Sequence, residues 1–95
     1  MQINRVIIPD TIAEKIERKH NVSEQEAKEI FFNEEAPLFV RRSQRVRGRY
    51  LAYGRAYSGR YIVAAYIPLK GGNVKVITAR DMNRNERRAY ERRGK

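Results

Sequence analysis

The chain has no cysteine, a single histidine, two aspartates, and no apolar run near the roughly 18 residues that a membrane-spanning helix needs. Without cysteine, neither a disulfide framework nor a thiolate zinc site can form. Asp10 and Asp81 are the only aspartates, and most glutamates cluster before residue 36, so a two-metal nuclease site has little support. One histidine gives no readable Ser-His-Asp arrangement. The glycines of "GRAYSGR" lack the lysine pattern of a P-loop. The opening "MQINRVIIPD" lacks the long apolar core of a signal peptide. These absences leave an intracellular, cytoplasmic protein with no membrane, metal or cofactor requirement as the expectation.

What is present is positive charge. The 95 residues, 41% of them hydrophobic, suffice for one small domain (1–95) with one modest core. The net charge is +10, and it is uneven. Residues 1–35 hold five Lys/Arg against eight Asp/Glu, whereas residues 36–95 hold sixteen against three. From Arg41 to Arg60 there are seven arginines and no acid. A solubilising surface usually mixes signs, so this asymmetry points to a polyanion partner for the second half.

The hydrophobic pattern orders the elements β-α-α-β-β-β-β-α. "INRVIIP" reads as a short strand stopped by Pro9. Asp10 or Thr11 can cap a helix running to about His20, with Ile12 and Ile16 facing inward, and Asn21 suits the left-handed position after its end. Ser23 with Glu26 makes a capping box for a second helix through "EQEAKEIFFN". The period then changes to two in "PLFVRR", "RYLAYGRAY", "RYIVAAYI" and "VKVITAR", with turns at Ser58-Gly59 and "PLKGGN". In the last strand Val74, Val76 and Thr78 alternate against Lys75, Ile77 and Ala79. Asn83 with Glu86 forms another capping box, opening a final helix that is mostly charge beyond Met82, Ala89 and Tyr90. The pattern predicts an α+β fold: a mainly antiparallel sheet of four or five strands, two N-terminal helices on one face, and a short C-terminal helix.

The runs "KHNVSEQEAKEIFFN", "YGRAYSGRYIVAAY" and "ITARDMNRNERRAYE" resemble the BrnT family of toxins over roughly residues 12–91. The resemblance implies a RelE-like fold, an endoribonuclease that halts translation as the toxin of a type II toxin–antitoxin system, and a BrnA-type antitoxin partner. Two positions depart from the family pattern, Asn21 where glycine commonly follows Lys-His, and Thr78 where serine commonly precedes Ala-Arg. Neither removes a candidate catalytic group.

Metal-free RNA cleavage needs a base for the 2′-hydroxyl, an acid for the leaving 5′-oxygen, and cations around the phosphorus. His20 is the natural titratable candidate. By spacing alone it serves equally as a helix-capping histidine on the dipole's negative end. Lys19 points about 100° away; by the family's Lys-His signature it is a phosphate contact or acid. Arg80 ends a strand just before a helix N-terminus, a setting that favours phosphate. Its plain alternative is an ion pair with Asp81 or a glutamate. Glu86 completes a capping box, orients Arg80, or acts as a base. Tyr90 stacks on a base or packs on the sheet, and packing is the expectation for most tyrosines, including Tyr50, Tyr61 and Tyr66. Arg84, Arg87 and Arg88 are placed to hold backbone phosphates. Arg45, Arg47 and Arg49, in a loop expected to be mobile, and Arg60 form a second bank of RNA-binding cations. Arg92, Arg93 and Lys95 read as a frayed end. The rival reading is a non-catalytic basic module that binds RNA or DNA, or serves as a regulatory partner.

Overall fold

A computed structural model describes residues 2–94. Its strands are β1 (Arg5–Ile7), β2 (Phe39–Arg42), β3 (Tyr50–Arg55), β4 (Tyr61–Pro68) and β5 (Asn73–Asp81); its helices are α1 (Asp10–His20), α2 (Glu24–Glu29) and α3 (Arg84–Arg93). The sheet order is β1-β5-β4-β3-β2, antiparallel except where β1 lies parallel to β5. This is the expected α+β architecture with five strands.

Local chemistry sets the element ends. Both capping boxes form, Ser23 with Glu26 and Asn83 with Glu86. Asn21 takes the left-handed conformation (φ 53°) after α1, and its N–H donates to Glu17 O. At the start of α1, however, neither Asp10 nor Thr11 caps. Pro9 occupies that position without a side-chain bond, and Asp10 is already helical. A proline with its fixed φ is preorganised for a helix start, and Asp10 in the first turn complements the dipole. The second helix stops at Glu29, shorter than its sequence pattern. In the β3–β4 hairpin Ala56 N donates to Arg60 O at 2.9 Å, and Gly59 supplies a positive φ of 97°. The arginine-rich loop between β2 and β3 is closed rather than loose. Ser43 N donates to Arg49 O at 2.8 Å, and Ser43 Oγ accepts from Arg45 N and Val46 N, both at 3.2 Å.

Two apolar clusters lie on opposite faces of the sheet. The larger gathers Ile16, Val22, Ala27 and Ile30 from the α1–α2 side with Ala52, Ile62, Ala64, Tyr66, Val74, Val76 and Ala79 of the strands. The smaller is Val63, Met82 and Tyr90, flanked by Phe39, Leu51, Tyr53 and Tyr61. Strict alternation would put Val74, Val76 and Thr78 on one face, and Arg80 with them. Instead Tyr66 pairs with Val76 and Ala65 with Thr78, so Ile77 is an extra residue on β5. A one-residue bulge inverts the facing of everything beyond it. Ala79 therefore turns into the larger core, and Arg80, opposite Val63, turns to the α3 side.

Helix α2 and strand β3 approach closely at a glycine. A Cβ added to Gly54 would stand 3.0 Å from both Ile30 Cβ and Ile30 O. Gly54→Ala is expected to destabilise the protein by about 1–3 kcal/mol through overpacking, read as a lower urea midpoint at unchanged slope.

Candidate functional site

The C-terminal end of β5 carries two charge clusters, one on each face. On the α3 face, Arg80 Nη1 and Nη2 donate to Glu86 Oε1 and Oε2 at 2.7 and 3.0 Å. Arg80 Nη1 also donates to Asp81 O at 3.0 Å. Glu86 Oε1 accepts from Asn83 N at 2.9 Å, and Asn83 Oδ1 accepts from Glu86 N at 2.8 Å. One carboxylate thus both starts α3 and grips the arginine. The Arg80 guanidinium holds the Glu86 carboxyl below the usual carboxylate range, against burial, and the Asn83 N–H and the charge of Arg41 add to this. Glu86 raises the Arg80 pKa in return. A carboxylate so stabilised as the anion is a weak base. Its geometry is that of a group that positions Arg80, one of the three uses its sequence context left open.

Arg80 is the more accessible partner, its side chain 45% exposed against 17% for Glu86. Glu86 occupies the fork formed by the two Nη groups. The other fork, Nε–H with the second Nη2 hydrogen, has no partner among the described residues. A guanidinium offers two such forks, each matched to a pair of phosphate or carboxylate oxygens.

The opposite face holds Arg60. Its Nε and Nη2 donate to Asp81 Oδ1 and Oδ2 at 2.7 and 2.9 Å, and its Nη1 to Asn21 O at 2.6 Å and Glu26 Oε1 at 3.1 Å. Nη2 also reaches His20 O at 3.3 Å. Expected as an RNA-binding cation, Arg60 is instead a fastener: its side chain is only 23% exposed, and its N–H groups are spent on the end of α1, the capping carboxylate of α2 and the end of β5. The Arg60 bond holds the Asp81 carboxyl low, with His20 adding to the effect. His20 is half-buried at the last position of α1, and Lys19 beside it is exposed. The structure therefore brings Arg80 to Glu86, and His20 to Arg60 and Asp81. The two groups meet through Asp81, whose carboxylate serves one and whose carbonyl serves the other.

Other candidates divide by what they touch. Tyr90 is buried, and its hydroxyl donates to Pro37 O at 2.6 Å. Its ring meets Phe39 and Tyr61 edge-on at 5.3 and 5.7 Å, and burial raises its phenol pKa. That is packing. Tyr50 and Tyr66 likewise stack at 5.7 Å. Arg87 lies 4.0 Å from the Tyr61 centroid, while Arg84 and Arg88 are exposed on the same first turns of α3. Arg45 and Arg47 are exposed in the β2–β3 loop, and Arg49 is half-buried there. The last turn of α3 is helical at Arg92 and Arg93, and Arg93 sits 4.3 Å over Phe39, so this end is docked and not frayed. Lys95 lies outside the described residues. Arg41, 5.6 Å over the Tyr53 ring, was not signalled by the sequence. Only the register of β2 against β3, Phe39 opposite Tyr53, brings it there. Among the described residues no three His, Asp or Glu side chains gather as a metal-ligand set, and no helix is long and apolar enough to cross a membrane.

The fold and this site define a small basic α+β protein with an arginine presented at the end of strand β5. In overall fold it is similar to the crystal structure of the Brucella abortus ribonuclease toxin BrnT, with a TM-score of 0.61 and 15% identity, covering 87% of this chain and 100% of that one. No curated protein matches the sequence. The family model for the ribonuclease toxin BrnT of type II toxin–antitoxin systems matches residues 10–86. The chain belongs to that family.

The ion pairs predict a pH dependence. Glu86, Asp81 and Glu26 all have lowered folded pKa values, Glu26 chiefly through the Ser23 N–H. Each contributes stability that is complete above its ordinary value, 4.5 for the glutamates and 3.8 for Asp81, and that is lost as pH falls through its lower folded value. Urea midpoints are expected to fall below about pH 4.5, and less steeply in Arg60→Met, which removes the partner of two of these carboxylates.

Proposed function

We propose that this protein is a metal-independent endoribonuclease, the toxin of a type II toxin–antitoxin pair. It cleaves RNA in the cytoplasm, arrests translation and growth, and is restrained by a BrnA-type antitoxin. Family membership supports the class. The observation that carries the chemistry is Arg80, held on one fork by Glu86 with its other fork open beside the N-terminus of α3.

On this reading the 2′-oxygen attacks phosphorus, a P–O bond forms there, and the bond to the 5′-oxygen breaks. Two equatorial oxygens of the crowded phosphorus lie on the open fork of Arg80, where the developing charge meets two N–H donors. His20, across the end of β5 on the other face of the sheet, takes the 2′-proton of a ribose that spans that strand end, and the 5′-oxygen leaves with a proton. Lys19 adds positive charge at the phosphate or supplies that proton. Glu86 acts through Arg80. Tyr90 acts through the seating of α3. Arg84, Arg87, Arg88 and the loop arginines Arg45, Arg47 and Arg49 hold backbone phosphates; Arg60 contributes by fixing the end of the helix that carries His20.

Induced in bacteria, the parent is expected to stop growth, while His20→Ala, Arg80→Ala and Glu86→Gln, checked for folding, should not. General acid–base groups contribute about 10²–10⁴ in rate, and a lost transition-state donor about 10²–10³. Combining the variants should cost less than the sum of their separate effects. Folded variants that cleave RNA at the parent rate would refute the assignment. RNA binding without any cleavage by the parent would instead favour a binding module.

Affinity for RNA should fall steeply with salt, each neutralised phosphate adding roughly 0.7–0.9 to the logarithmic slope. Replacing Arg45, Arg47 and Arg49 with Ala is expected to flatten that slope, which a titration from low to moderate salt measures directly. An unchanged slope places the RNA surface elsewhere.

A further inference from the structure

Beside Arg80, between α3 and the β2–β3 pair, lies a cleft of about 260 Å³. Its floor is aromatic, with Phe39 and Tyr53 at its base, and Ala89 and Asn85 lie on its α3 side. Its rim is cationic, with Arg41 and Arg93 lining it and Arg80 bonded to its one carboxylate, Glu86. We infer that this cleft is a nucleobase subsite, taking one unstacked base of the RNA whose adjoining phosphate lies on Arg80. The inference rests on the phosphate-binding role proposed for that arginine.

Size, surface and charge converge on this occupant. Pockets for drug-sized ligands span about 300–1,000 Å³, so this volume suits a single planar ring system and not two stacked bases. The two cation–ring contacts in the cleft differ. Arg93 covers Phe39 at 4.3 Å, whereas Arg41 stands 5.6 Å from the Tyr53 centroid. Phe39 is thereby closed off on that face, and Tyr53, half-buried and with its cation further away, is the ring available to a base. Aromatic rings and guanidinium planes are the surfaces on which RNA-binding proteins stack splayed bases. The carboxylate is already neutralised by Arg80, which leaves a net positive rim suited to a ligand that carries its own phosphate. The shortness of Ala89 keeps the cleft open, and the amide of Asn85 can read a base edge.

The probe is a short 2′-O-methyl oligoribonucleotide, uncleavable by 2′-oxygen attack, with 2-aminopurine placed at each position in turn. Its fluorescence should be quenched on binding at one position. Tyr53→Leu, which keeps an apolar floor but removes the ring, and Ala89→Leu, which fills the cleft from a helix that tolerates leucine, should each abolish the quench. Each should also weaken binding about tenfold to a hundredfold, the range of one base–aromatic contact. Arg45→Ala should weaken binding while leaving the quench of bound probe intact. Asn85→Ala should reduce discrimination among the four bases at that position. Quench and affinity unchanged in both cleft variants would overturn the subsite, and loss of binding to a partner protein instead would reassign the cleft to protein docking. The readout does not depend on cleavage. If the parent cleaves no RNA the proposed activity fails, while the quench still decides the subsite.

Discussion

The single extra residue in β5 governs where the charges of this protein end up. With Ile77 bulged out, Ala79 faces the larger core, Arg80 the α3 side, and Asp81 the end of α1. Without it, the same sequence would drive Arg80 toward Ile16 and Val76, where an arginine could keep its hydration or its ion pair only at heavy cost. The bulge is tolerated because both outcomes of the inverted phase are satisfied. Arg80 finds Glu86, already fixed by its capping duty, and Asp81 finds Arg60. Sheet register, helix capping and ion pairing thus agree at one strand end, and that agreement presents a guanidinium to solvent in a fixed orientation.

The arginines divide into three kinds by the company they keep. Arg60 is consumed by structure, with bonds to two carboxylates and to carbonyls ending α1. Arg87 and Arg93 cover aromatic rings, so that α3, poor in apolar residues, adheres to the sheet through cations on Tyr61 and Phe39 together with the buried Tyr90. Such contacts contribute about 0.5–2 kcal/mol each, which accounts for a helix that amphipathicity alone would not dock. Arg45, Arg47, Arg84 and Arg88 remain exposed. Net charge alone cannot sort these groups, since every arginine counts equally in it.

Much of the fold was legible in the residues because local rules decided it. The capping boxes at Ser23–Glu26 and Asn83–Glu86, the left-handed Asn21 and the β3–β4 turn each depend on side chains within a few positions. The site was legible only where it too was local, as with Arg80 and Glu86, six residues apart. What escaped depended on register and long-range packing. The adjacent apolar pair Val76-Ile77 breaks the alternation, and Thr78, Ala79 and Arg80 resume it in the opposite phase, but a β-branched run read as one regular strand passes over that signal. Arg60 looked free because its partners lie at Asn21, Glu26 and Asp81, brought together only by the finished sheet. The cleft needed Phe39 set opposite Tyr53, a pairing that no spacing rule supplies.

The parallel pairing of β1 with β5 has a consequence for the order of assembly. β1 is synthesised before the other described strands, yet its partner segment, Asn73 to Lys75, belongs to β5, which is made after them. Contacts of such sequence separation form late, because the long loop between them must close first. β5 also lies between β1 and β4 and carries both Arg80 and Asp81. Helix α1 also packs on β5, so a nascent chain ending before residue 73 lacks both the seat of that helix and the arginine-bearing strand end. Among the described residues β1 has no strand partner but β5, so the parallel pair and the Arg80–Glu86 site both require β5 in place, and nascent chains ending before Arg80 lack the arginine on which the proposed cleavage depends.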